Sequence, residues 1–171
     1  MVYITIVRYV MEKLRACFFT GHRVLPVNRT EEVRELLREH IERLIIEYDV
    51  RYFISGGAIG FDTEAAEAVI EMREKYPHIK LVMYLPCYGQ SSRWDAKKKY
   101  RYRLILSKAD ETVYITEGEY EDGCMQKRNA RMIQDAFFCI AFCMKTASGT
   151  GATLRAARDN KIINIVDEMY E

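Results

Sequence analysis

Net charge is what the chain lacks most plainly: 26 lysines and arginines stand against 25 aspartates and glutamates, leaving +1 at pH 7. Nothing in that balance demands a nucleic-acid or membrane partner, so function has to be sought in local sites. Paired metal-ligand cysteines are also missing. Cys17, Cys87, Cys124, Cys139 and Cys143 form no CxxC pair and have no histidine cluster to match, so no zinc site is expected. An odd set of cysteines fits a reduced, cytoplasmic setting. Cys17 and Cys139 sit inside apolar runs as small core hydrophobes, while Cys87 and Cys143, near strand ends, are candidates for lining a pocket. No apolar run is long enough to span a bilayer. The first ten residues, MVYITIVRYV, are too short, carry Arg8 and lead into no cleavage pattern, so neither a membrane nor export is expected. Linkers, repeats and low-complexity tracts are absent as well. The 171 residues, about half of them apolar, therefore read as one α/β domain over residues 14–171, with residues 1–13 as an extension or an edge strand.

What is present is a repeated junction, in which an apolar, β-prone run stops at small and polar residues and hands over to a helical pattern. The three instances are ACFFTGHR at residues 16–23, YFISGGAIGFD at residues 52–62 and FFCIAFCMKTASGTGAT at residues 137–153. A strand that ends at glycine before a helix lets backbone N–H groups approach a phosphate, and the helix N-terminus adds partial positive charge. Strands are expected at residues 15–20, 50–55, 79–85, 111–116, 137–142 and 162–166. Helices are expected between them at residues 29–48, 63–76, 92–108, 125–135 and 150–160. The first helix has a capping-box spacing in Asn28 and Glu31 and an apolar stripe through Val33, Leu36, Leu37, Ile41, Leu44 and Ile45. Alternating strands and helices with near-continuous apolar strands predict a Rossmann-like three-layer sandwich on a mostly parallel sheet. Ligands in such sheets gather beyond the carboxyl ends of the strands, which places all three junctions on one rim.

Each junction has a functional and a packing reading. Thr20, Gly21, His22 and Arg23 offer a close backbone approach and a bidentate phosphate clamp, although a satisfied structural role is the default for His22. Gly56, Gly57 and Gly60 approach the dinucleotide fingerprint, but Ser55 stands where its first glycine belongs and no Walker Lys-Ser/Thr pair follows, so P-loop hydrolysis is not expected. The same glycines equally suit tight strand-to-helix packing, with Asp62 and Glu64 as ordinary first-turn acids. Ser148, Gly149, Thr150 and Thr153 supply hydroxyls and open N–H groups at a helix start, or simply cap it. Residues 93–103, RWDAKKKYRYR, mix aromatics with cations in the manner of a single-strand nucleic-acid surface. A solvated helix face with Tyr100, Leu104 and Ile105 turned to the core is the preferred reading.

Taken in order, these pieces resemble the SLOG superfamily, named for the Smf/DprA DNA-processing proteins and the LOG phosphoribohydrolases, and within it the YpsA-like bacterial group. The resemblance runs from Arg15 to the C-terminus through CFFTGHR, SGGAIGFD, Gln90, Trp94, Ala109 and Asp110, Tyr120, CMQKRNARMI and SGTGATLRAA. It implies binding of a nucleotide or nucleotide-derived ligand such as ADP-ribose, an NAD-like molecule or a mononucleotide. The residues implicated are Gly21, Arg23, Gly56, Gly57, Gly60, Asp62, Arg128, Asn129, Gly149, Thr150 and Thr153. The LOG hydrolases carry an Arg-Lys pair and a glutamate in their PGGxGTxxE motif. Here Arg128 is retained, Asn129 replaces the lysine, and the glutamate position falls on Ala156, or on Arg155 if the register shifts by one. The expectation is thus a binder without a bound cofactor, a sensor or regulatory module. N-glycosidic hydrolysis of a nucleoside monophosphate, with Asp62 or Glu64 substituting for the acid, is the alternative, and single-stranded DNA binding is the further one. A homo-oligomer stays open.

Overall fold

The computed structural model describes residues 10–170. The possible strand before residue 10 lies outside the described residues, and residues 10–14 are helical rather than extended. Six strands follow: β1 (Ala16–Gly21), β2 (Tyr52–Ser55), β3 (Lys80–Leu85), β4 (Glu111–Tyr114), β5 (Phe138–Phe142) and β6 (Lys161–Asn164). They form one sheet in the order β4-β3-β2-β1-β5-β6, with every pairing parallel. The helices are α1 (Thr30–Tyr48), α2 (Phe61–Met72), α3 (Ala96–Lys108), α4 (Cys124–Asp135), α5 (Gly149–Ala156) and α6 (Val166–Met169). The Rossmann-like architecture read from the alternation is therefore the observed one.

The near-continuous apolar strands are explained by burial on both faces. Cys17, Phe19, Phe53, Leu81, Met83, Ile140 and Phe142 join the core with α1, α2 and α3. Phe18, Ile54, Val82, Tyr84, Cys139 and Ala141 face the other way, onto Met132 and Ala136 of α4 and Ala157 beyond α5. The chain runs outward from β1 through β2 and β3 to β4, then returns to β5 on the opposite flank of β1. The direction thus switches between β1 and β5, whose register aligns Gly21 with Phe142 at the carboxyl rim. That switch is where a crevice opens in open parallel sheets.

Element ends differ from the sequence expectations where a local cap intervenes. Asn28 and Glu31 do not form a capping box. Pro26 starts a 3₁₀ turn over Val27–Arg29, leaving Arg29 as the N-cap of α1 with no side-chain cap bond. Asp95 delays α3 to Ala96, its Oδ1 accepting the Lys98 N–H at 2.9 Å. Tyr102 and Ile105 turn inward on α3 and are buried, whereas Tyr100 and Leu104, expected in the core, are 70% and 42% exposed. The last strand stops at Asn164 and hands over to α6, a short helix the periodicity did not announce. All five cysteines are free and buried, and neither Cys87 nor Cys143 lines the cleft at the end of β1.

Ion pairs bind the three helices on one face. Glu64 of α2 is buried and accepts from Arg34 Nε of α1 at 2.7 Å and Arg101 Nη2 of α3 at 2.8 Å. Arg101 also grips Glu67, with both contacts at 2.6 Å. Removing Glu64 leaves two guanidinium groups without their shared acceptor. Complete burial would make that loss roughly 3–5 kcal/mol, and the partial exposure of both arginines reduces it. Glu64→Ala is expected to lower the unfolding free energy by about 2 kcal/mol in urea titrations, with Glu67→Ala costing clearly less.

Candidate functional site

A cleft of about 510 Å³ opens at the β1/β5 switch. One wall is the end of β1 with Thr20, Gly21, His22 and Arg23. Asp62 comes from the start of α2, Arg128 and Asn129 from α4, and Ser148, Gly149, Thr150 and Thr153 from the start of α5. Residues more than a hundred positions apart thus meet because each sits at the carboxyl end of a strand or on the helix beside it.

The α5 end of the cleft has the chemistry of an anion site. Ser148 is the N-cap, its Oγ accepting the Gly151 N–H at 3.1 Å. The first N–H groups of α5, at Gly149 and Thr150, have no intrahelical acceptor and add the helix's positive end to the cleft. His22 clamps the loop before this helix. Its Nε2 accepts from the N–H groups of Met144 at 2.9 Å and Lys145 at 3.3 Å, which puts the proton on Nδ1, 3.4 Å from Thr150 Oγ1. Burial, and then the Lys145 charge, hold its pKa below the ordinary histidine value. It is a neutral positioning group that borders the cleft.

Arg128 is buried on the cleft floor. Its Nη1 donates to the Gly56 carbonyl at 2.5 Å and its Nε to Asn129 Oδ1 at 2.8 Å. Asn129 Nδ2 donates in turn to Thr153 Oγ1 at 3.0 Å, and that hydroxyl donates to the Gly149 carbonyl at 3.1 Å. The asparagine that replaces the LOG lysine therefore ties α4 to the first turn of α5. Burial lowers the Arg128 pKa, countered by Asp62, although a guanidinium stays protonated at neutral pH. Asp62 is also buried, and desolvation pushes its pKa up to about 6 against the opposing pull of Arg128, the Ala58 and Gly56 backbone and Arg23. It is the one carboxylate among the described residues that line the cleft.

Gly56, Gly57 and Gly60, expected in a phosphate cradle, are not among the residues that line the cleft. A Cβ at Gly56 would meet the Arg128 guanidinium and Asp62 Oδ2. Gly60 has φ +82° and packs against the His22 and Arg23 carbonyls, so it turns the chain into α2 where a side chain has no room. The Gly57 carbonyl accepts from Gln90 Nε2 at 2.8 Å. Glu64, bound to Arg34 and Arg101, is likewise absent from the cleft.

Trp94 packs edge-on against Tyr102 at 5.2 Å, and Asp110 Oδ2 holds the Leu81 N–H at 2.8 Å and Arg73 Nη1 at 2.6 Å, so both serve the fold. The remaining cleft wall was missed from sequence: Met125, Met132 and Ile133 of α4, with Ala152 and Ala156 of α5. Their spacing with Arg128 and Asn129 is one helical stripe, the signal that would have found them. Ala156 lines this cleft with a methyl group.

The family model described as the YspA SLOG family matches residues 19–160. The SPbeta prophage-derived protein YoqJ of Bacillus subtilis (strain 168) is 33% identical over 138 residues, covering 74% of this chain and 81% of that protein. A UPF0398 protein of Bacillus pumilus (strain SAFR-032) is 33% identical over 87 residues, covering 51% of this chain. The match spans 47% of that relative, about half its length. DNA processing protein A of Helicobacter pylori, described for its single-stranded DNA binding mode, superposes with TM-score 0.60 over 94% of this chain and 74% of its own, at 15% identity. DNA processing protein A of Streptococcus pneumoniae gives TM-score 0.62 over 89% and 50%, also at 15% identity. At that identity the likeness shows the fold.

Asp62 carries a measurable signature. Its folded pKa lies above its unfolded one, so the stability it contributes is complete below about pH 4 and is lost as pH rises through about 6. The unfolding free energy of the unmutated chain minus that of Asp62→Asn is expected to fall by about 2.4 kcal/mol between pH 4 and pH 7. Parallel pH profiles for the two proteins would contradict the raised pKa.

Proposed function

This chain belongs to the YspA SLOG family, and we propose that it binds a phosphate-bearing nucleotide or nucleotide-derived ligand in the cleft between β1 and β5. The observation that supports this most is the meeting of a buried guanidinium, Arg128, with the open N-terminus of α5 and the exposed Arg23 around one cavity. Three sources of positive charge face a single carboxylate, Asp62. An arriving phosphate finds N–H groups at Gly149 and Thr150 and the hydroxyl of Thr150, donors that suit its oxygens. The apolar stripe of Met125, Met132 and Ile133 offers a base or another flat, weakly polar group a dry surface. Asp62 accepts ribose hydroxyls in this reading. A cytosolic setting belongs to it, supported by five free cysteines and by the lack, among the described residues, of any helix long and apolar enough to cross a membrane.

A second reading rests on Asp62 alone. A buried carboxyl with a pKa near 6 is suited to general acid work, so N-glycosidic hydrolysis retains one candidate acid even though Ala156 occupies the glutamate position.

Calorimetry with AMP, ADP-ribose and NAD separates the readings. Saturable binding of at least one is expected, weakened about 10- to 100-fold in Arg23→Ala, an exposed position whose replacement spares the fold. Arg128→Ala is expected to lose binding altogether. No saturable binding across that panel rejects the proposal. Release of free base from AMP, abolished in Asp62→Asn, replaces it with the hydrolase reading.

A further inference from the structure

The edge of the sheet farthest from the cleft carries a charge pattern that ligand binding leaves unexplained. The sequence of α3, AKKKYRYRLILSK, has six cations and no acid. Three lysines fill its first turns, where the positive end of a helix disfavours cations and an ordinary solvated helix would place acids. Lys98 is answered by Asp95 at 2.8 Å and Arg101 by Glu64 and Glu67, but Lys97, Lys99 and Arg103 have no ion pair among the described residues. Between them Tyr100 and Leu104, one turn apart, stand exposed.

The loop after β4 carries the opposite charge. Residues 117–122, EGEYED, follow β4, and Glu117, Glu119 and Asp122 are exposed and unpaired among the described residues. Tyr120 in the same loop is 61% exposed. Backbone bonds fix this loop against the segment leading to α3: Tyr88 N–H to the Gly118 carbonyl at 3.0 Å, and Thr116 N–H to the Pro86 carbonyl at 3.2 Å. Beneath both features β4 is the end strand of the sheet among the described residues, with Glu111, Thr112 and Tyr114 exposed.

Adjacent basic and acidic patches on one edge are self-complementary under a two-fold axis, because rotation sets each patch against its opposite. We propose that a second copy of this chain docks on this edge. The acidic loop of each copy lies against the first turns of the other's α3, with Tyr100, Leu104 and Tyr120 at the apolar centre. The partner's carboxylates then pair with Lys97, Lys99 and Arg103, and β4 is covered as sheet edges commonly are. A nucleic acid fits this edge less well, since Glu117, Glu119 and Asp122 repel phosphates next to the lysines that would attract them.

Sedimentation velocity of the full chain tests this with reciprocal charge reversals. The unmutated chain is expected to dimerise, weakening about tenfold as ionic strength rises from about 0.05 to about 0.5 M. Lys97→Glu/Arg103→Glu and Glu117→Lys/Glu119→Lys are each expected to be monomeric at concentrations where the unmutated chain is dimeric. Mixed in equal amounts they should form a heterodimer, since each then offers what the other has lost. Lys97→Glu/Arg103→Glu should also melt no lower than the unmutated chain, because an acid at position 97 suits the first turn of α3 and Arg103 has no ion pair to lose among the described residues. A monomeric unmutated chain, dimers that survive both reversals, or a mixture that stays monomeric overturns the proposal. So does tight binding of a labelled oligothymidylate that is lost in Lys97→Glu/Arg103→Glu, which would assign the face to nucleic acid. None of these outcomes depends on whether the cleft binds a nucleotide.

Discussion

Everything around the cleft follows from burying one guanidinium. Arg128 cannot shed its charge, so burial obliges the surrounding chain to supply acceptors and a counter-charge at fixed positions. The Gly56 carbonyl and Asn129 Oδ1 provide the acceptors, and Asp62 provides the charge. Position 56 must then be glycine, because a Cβ would occupy the space of the guanidinium. Asn129 is held by Thr153, and through it by the Gly149 carbonyl, so the start of α5 is set by the same chain of bonds. Asp62, taken out of water to serve Arg128, acquires the raised pKa that makes it the most unusual acid of the site.

The parallel sheet adds a second, collective constraint. Because β1 and β5 run side by side and their following elements leave in opposite senses, a cleft opens beside the end of β1, next to Phe61 packed on Gly21 and Phe142. The helix that begins beside that space points its positive end into it. His22 holds the preceding loop in place through two backbone N–H groups, which requires its neutral form. Geometry, dipole and buried cation converge on one preference, for an anion with a flat apolar neighbour.

Charge is balanced over the chain and segregated within it. On the inner side of α3, Arg101 closes a network with Glu64 and Glu67 that holds three helices together. On its outer side Lys97, Lys99 and Arg103 have no ion pair among the described residues. A net charge of +1 conceals this arrangement, because a sum over residues carries no information about which of them share a surface.

The order of strands and helices was legible from residues alone, since apolar runs and 3.6-residue periodicity reflect contacts each segment makes whatever its neighbours are. The rim location of the junctions followed from parallel connectivity, and most of the expected site residues do meet at the β1/β5 switch. What the residues could not convey was direction at close range. A glycine that admits a ligand and a glycine that admits its own chain look alike, and Gly56 and Gly60 prove to be of the second kind. Tyr100 and Tyr102 differ by two positions in one helix, yet which of them faced the core was decided by how that helix lies on the sheet. Local periodicity specifies that a face exists. Only packing against distant segments, brought close by the fold, selects which side chains it contains and what charge they meet there.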